Sequence, residues 1–354
     1  MNKNSTLIIG KNKTGKTRKV LFEEVKEKIN NNENLLVLDE RLEYYNEFGQ
    51  ELEEKGYDIK VVNFKEPSKS DGWNPFGYVT HLYNSGKIDK AIEALKSMGE
   101  YIFKNKVSGA DPFWTDMATN YFIGLSLILL KISKEKNDIT AVEFYSLLQI
   151  MNQGEEKYKD STYLKEYCSK LDSTDPICLT LNSIMNAPEE TRGSIIAVFK
   201  SKVNNYFMRP ELVSSFNNNY FHVEHLDNEG KKAIFIVNYK PLASLSNILI
   251  EQLIGEMDNI DAKFNIILDG FDKFPKFNDI EEIIDKVNHT HINIYLTTIN
   301  KENLINKYNG YTFFDIENIV ELNNIYEENI SSKEYMLPEL KNHPLSKFDF
   351  KKYI

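Results

Sequence analysis

The chain is poor in several residue types, and each shortage narrows what it can be. Cys168 and Cys178 are the only cysteines in 354 residues. Two are too few for a disulfide framework and lack metal-ligand spacing, so both are expected to be reduced core thiols of a cytoplasmic protein. Arginine occurs only at Arg18, Arg41, Arg192 and Arg209, which limits where a planar, bidentate cation can be found. Cations are outnumbered, with 43 Lys and Arg against 53 Asp and Glu, a formal net charge of -10. That balance argues against a surface broadly attractive to nucleic acid and leaves room for a local basic path only. Long apolar runs are missing too. The greasiest segment, YFIGLSLILL at 121–130, is about half of the roughly 20 residues that a membrane crossing needs and runs into Lys131, so it reads as a buried helix. The opening MNKNSTLIIGKNK has no long apolar core of the secretory kind.

What is present is an alternation. Apolar runs at 5–9, 34–39 and 58–64 are separated by helix-compatible stretches, as expected of parallel strands covered on both faces. The rhythm stops at KEPSKSDGWNPFG (65–77), where turn residues cluster, and helical patterns fill about 78–205. Asp111 ahead of Pro112, and Asp138, are candidate helix starts. Strand patterns return at 232–238, 264–269, 292–298 and 318–324. The reading is an α/β fold in which both ends of the chain build one nucleotide-binding domain around an inserted all-α domain. Its expected parts are 1–76, 77–185 and 186–354.

The segment GKNKTGKT satisfies the pattern G-x-x-x-x-G-K-[ST] through Gly10, Gly15, Lys16 and Thr17, between a strand and a helix. In such a loop the backbone N–H groups and the helix N-terminus face phosphate oxygens. The expected cradle is Gly10, Lys11, Asn12, Lys13, Thr14, Gly15, Lys16, Thr17 and Arg18, with the Lys16 ammonium for the β- and γ-phosphates and the Thr17 hydroxyl for Mg²⁺. A second acidic element is required across the sheet, and FNIILDG supplies Asp269 after an apolar strand. Hydrolytic relatives usually carry glutamate next, where this chain has Gly270; Asp272 is the nearest substitute. The pairs HVEH (222–225) and HTH (289–291) lack a third convergent ligand and are not read as zinc sites.

With both elements in hand, the chain resembles the conjugative coupling proteins of type IV secretion, the TraG/TraD class, which belong with the FtsK and HerA motors. The resemblance is carried by several short motifs in order. Asp39, Arg41 and Glu43 match an Asp-x-Lys-x-Glu-Leu element; GYDIKVVNF matches a Gly-Tyr-x-Val strand entry; Ser70, Trp73, Asn74 and Pro75 match a Ser-x-x-Trp-Asn-Pro turn. Asp111, Phe113 and Trp114 match an Asp-x-Phe-Trp helix start, and ETRGSIIAVF a Thr-x-x-Ser-Ile segment.

The resemblance implies a RecA-like P-loop NTPase fold with a mainly parallel sheet and an inserted all-α domain. It further implies ATP and Mg²⁺ as cofactors, hydrolysis in a homo-hexamer, and transport of single-stranded DNA or a relaxase-DNA cargo to type IV secretion components. Family members usually begin with two membrane helices; this chain opens on the first motor strand, so a cytoplasmic protein, peripheral to the membrane through a partner if attached at all, is expected. The family's γ-phosphate-sensing glutamine aligns with Asn300, and Arg192 is the favoured arginine finger. Gly270 sets two alternatives beside the motor: a nucleotide-binding switch or scaffold without turnover, and a HerA-like ATPase of DNA processing or defence.

Overall fold

The computed structural model describes residues 4–104, 111–136, 143–217, 221–226, 230–257, 260, 262–308, 316 and 318–322. Strand β1 (Ser5–Gly10) leads through a loop into wide π-type turns at Lys16–Leu21 and then helix α1 (Phe22–Asn30). β2 (Asn34–Leu38), α2 (Glu43–Glu54) and β3 (Asp58–Asn63) complete the first α/β run. A helical stretch follows: α3 (Gly77–Asn84), α4 (Ile88–Phe103), α5 (Pro112–Lys136), α6 (Phe144–Glu155), a small hairpin of β4 (Lys157–Tyr158) and β5 (Ser161–Thr162), then α7 (Tyr163–Ser169), α8 (Pro176–Met185), α9 (Glu189–Phe207) and α10 (Pro210–Asn217). The α/β run resumes with β6 (Lys232–Val237), α11 (Ala243–Met257), β7 (Phe264–Leu268), α12 (Ile280–Asn288), β8 (Ile292–Thr298), α13 (Lys301–Lys307) and β9 (Asn318–Leu322).

Seven strands form one parallel sheet in the order β3-β6-β2-β7-β8-β1-β9. Every residue of β2, β6 and β7 is buried, because helices cover both faces. Successive side chains point to opposite faces. Ile8, Val37, Phe235 and Ile267 therefore pack with Val25, Ile29, Phe48 and Leu52 of α1 and α2 on one side. Their neighbours Leu7, Leu36, Ile234 and Ile266 join the larger core that continues into the helical layer.

The greasy segment lies inside α5. That helix is longer than the apolar run alone, and by length and composition it could cross a membrane, yet 67% of its apolar window is buried within the molecule. α4, α8 and α9 pack along it. Gly124 allows the closest of these approaches, since a Cβ there would stand 2.4 Å from Leu181 Cγ. Asp111 starts α5 by accepting the Phe113 N–H at 2.9 Å; Asp138 lies outside the described residues. α9 packs on α5, and near its end Tyr206 reaches Ser244 on α11 at 3.0 Å.

Three local readings change. The stretch from Ser161, which reads as helix, begins as strand because Lys159 turns at φ 54 and pairs Ser161–Thr162 with Lys157–Tyr158; only then does Thr162 cap α7. α10 stands beyond the stretch that reads as helical. The cysteines are not core residues: both are partly exposed at the α7–α8 junction, where Cys178 donates to the Cys168 carbonyl oxygen at 3.3 Å. Trp73, by contrast, is fully buried against Phe64, so the Trp-Asn-Pro turn is a packing feature.

Candidate functional site

The loop after β1 is curled by two left-handed residues, Lys13 at φ 65 and Gly15 at φ 88. Glycine is required at position 10 for a different reason, close approach: a Cβ there would meet Thr14 Oγ1 at 2.4 Å. Thr14 ties the curl by donating its hydroxyl to the Lys11 carbonyl at 2.9 Å. Lys16 reaches back over the loop to the carbonyls of Gly10 and Lys11, the latter at 3.0 Å. Burial pushes its ammonium below the ordinary lysine value, while Asp269 and Asp272 pull it up.

Sheet order brings the second half to this loop. β8 lies between β1 and β7, with Ile8 level with Thr297 and Leu268 with Leu296. Asp269, the residue after β7, therefore faces both neighbours. Its Oδ2 accepts the Thr17 hydroxyl at 2.6 Å and the Tyr44 hydroxyl at 3.0 Å, and its Oδ1 accepts the Thr297 hydroxyl at 2.7 Å. Thr297 in turn accepts the Gly270 N–H at 2.7 Å. A hydroxyl and a carboxylate oxygen in contact are the hard oxygen donors that suit Mg²⁺, which takes few protein ligands and completes its shell with phosphate and water. The donor set fits that ion.

Gly270 adopts φ +77 with open space around it, a backbone that a glutamate would hold only under strain. Asp272 accepts the Ile299 N–H at 3.3 Å and the Asn303 amide at 3.2 Å, so its carboxylate braces the β8–α13 junction beside Lys16. Asn300 stands at the same junction, where its Oδ1 caps α13 by accepting the Asn303 N–H at 2.9 Å.

Two arginines are engaged elsewhere. Arg18 points away from the loop, over the Phe22 ring at 4.4 Å and to Glu47 at 3.1 Å. Arg192 meets Glu155 at 2.6 Å inside the helical layer, and Tyr121 donates to the other oxygen of that carboxylate at 2.7 Å.

Sequence reading missed Tyr44 and Thr297. A threonine pair closing the strand was a visible signal for the second. Nothing marked the first except its place after Asp39, Arg41 and Glu43. Asp39, buried at the end of β2, accepts the N–H groups of Tyr44 at 3.0 Å and Tyr45 at 2.9 Å and so starts α2. Burial pushes its carboxyl up to about 7 against these hydrogen bonds.

A parallel sheet covered on both faces, with a phosphate-type loop joined to an acidic strand end across an intervening strand, defines a RecA-like P-loop NTPase fold. The chain belongs to the family described as type IV secretory system conjugative DNA transfer, which matches residues 6–318. Among solved structures it is similar to the bacterial conjugative coupling protein TrwBdeltaN70 in complex with sulphate, at 13% identity and TM-score 0.59, covering 90% of this chain and 70% of that one. It is similar also to the plasmid coupling protein TrwB in complex with ADP and Mg²⁺, at 12% identity and TM-score 0.55, covering 87% of this chain and 66% of that one. TrwB in complex with a non-hydrolysable ATP analogue matches at 14% identity and TM-score 0.55, covering 87% and 66%. At these identities the likeness is one of fold. No curated protein matches significantly.

Proposed function

We propose that the chain binds ATP with Mg²⁺ in the loop Gly10–Thr17 and uses hydrolysis to move DNA, or a relaxase-DNA conjugate, in conjugative transfer. One observation carries this reading: Thr17 and Asp269, 252 residues apart, share a hydrogen bond that joins the loop to the acidic strand end. The backbone N–H groups of the loop would hold the phosphates, and Lys16 would exchange its two carbonyl partners for phosphate oxygens. Thr17 and, through water, Asp269 would hold the metal. Bound there, magnesium neutralises charge on the β- and γ-phosphates. Asn300, beside Asp272 at the end of β8, would report on the γ-phosphate to α13.

The structures of TrwB with ADP and Mg²⁺ and with an ATP analogue support the choice of ligand. We extend the proposal to a cytoplasmic homo-hexamer that meets the secretion apparatus through partner proteins, with the chain divided at 1–76, 77–185 and 186–354. Arg192 is left out as an arginine finger because its guanidinium is committed to Glu155.

Gly270 favours a second reading, a nucleotide-driven switch without turnover, since the water-polarising glutamate is missing and its backbone disfavours one. Steady-state ATPase with and without single-stranded DNA separates the two. Turnover stimulated by DNA and abolished in Lys16→Ala supports the motor, and nucleotide binding without turnover supports the switch.

A further inference from the structure

Asp269 Oδ2 accepts two hydroxyls, and only one comes from the phosphate loop. The other belongs to Tyr44, at the position where the Asp-x-Lys-x-Glu-Leu pattern carries leucine. We propose that Tyr44 is a positioning residue for the metal half of the site, its phenol holding the Asp269 carboxylate in the orientation that meets Thr17. The proposal rests on the Mg-nucleotide reading above.

Three elements grip this one carboxylate. Thr17 comes from the start of the loop helix, Thr297 from β8, and Tyr44 from α2. Tyr44 is itself immobile: it is 2% exposed, its ring lies 4.9 Å from that of Phe22 on α1, and Asp39 binds its N–H. β2 and β7 are neighbours in register, Leu38 beside Leu268, so the α2 start that Asp39 fixes stands directly over Asp269. A phenol is protonated at neutral pH, so the Tyr44 hydroxyl is a donor to the carboxylate. Without it, Oδ2 keeps only Thr17, whose oxygen is the one a cation needs. Loss of such an outer partner typically weakens metal binding by about 10–100-fold.

The test is calorimetric titration of the full chain with a non-hydrolysable ATP analogue, in EDTA and across a series of Mg²⁺ concentrations. Tyr44→Phe keeps the ring against Phe22 and removes the hydroxyl; Tyr44→Leu installs the residue of the family pattern. Both are expected to bind the analogue in EDTA within about twofold of wild type, while the Mg²⁺ concentration for half-maximal tightening rises by about tenfold. An unchanged Mg²⁺ dependence in Tyr44→Phe overturns the proposal and leaves the nucleotide reading standing. An equal loss in EDTA and in Mg²⁺ also overturns it, because Tyr44 would then support the loop as a whole. A wild-type chain that binds no analogue, or binds it indifferently to Mg²⁺, overturns the reading underneath and the proposal with it.

Discussion

The hydroxyl of Tyr101, on α4 of the helical layer, donates to the carboxylate of Glu251 on α11 and accepts the N–H of Asn278. Ser97, one turn earlier on α4, donates to the other oxygen of Glu251 at 2.5 Å. Asn278 ends the segment that begins at Asp269. The segment between β7 and α12 and the helical layer thus share a polar joint. Tyr101→Phe leaves the partly buried carboxylate with one hydroxyl donor and is expected to cost about 1–3 kcal/mol, read as a lower melting temperature. A variant as stable as wild type would show the joint to be incidental.

Burial raises Glu251 above the ordinary carboxylate range. The folded chain then keeps a proton that the unfolded chain has released, so this group's contribution is greatest at low pH and is lost as pH rises through the raised value. Glu251→Gln should flatten that part of the stability profile. A profile parallel to wild type contradicts the assignment.

Asp39 gives the same sign with a defined window, because its folded value is about 7. Stability falls as pH rises from the ordinary carboxylate range to about 7 and levels off above. Asp39→Asn keeps an acceptor at the start of α2 without the buried charge. Relative to wild type it should gain on the order of 4 kcal/mol as pH rises from about 4 to 8, measured by denaturation at each pH. A relative loss over that range would contradict the burial argument.

Much of the fold was legible in the sequence. Ile292–Thr298 matches its strand pattern residue for residue, and Ile88–Phe103 falls within the stretch that reads as helical, its apolar face turned to the core. The loop was legible because phosphate binding imposes fixed spacing, and Asp269 because it directly follows an apolar strand. The order of strands was not, since nothing local in β8 says that it lies between β1 and β7. Tyr44 and Asp269 are 225 residues apart, and their contact exists only once that order is known. Arg18 adjoins the loop in sequence, yet the helical turn carries it to Glu47.

Gly124 supplies a prediction whose sign runs against helix propensity. Glycine to alanine inside a helix ordinarily stabilises by roughly 0.5–1 kcal/mol. Here the new methyl meets Leu181 at the α5–α8 crossing, so Gly124→Ala is expected to destabilise by about 1–3 kcal/mol. A higher melting temperature would mean that Leu181 gives way to the methyl at no cost.

The account depends on the loop and Asp269 acting as one Mg-nucleotide site, and calorimetry on three chains tests this most directly. With a non-hydrolysable ATP analogue in magnesium buffer, wild type is predicted to bind, Lys16→Ala to bind at least about tenfold more weakly, and Asp269→Asn to lose the advantage that magnesium confers. Absence of binding by wild type, or both variants binding as wild type does, would contradict it.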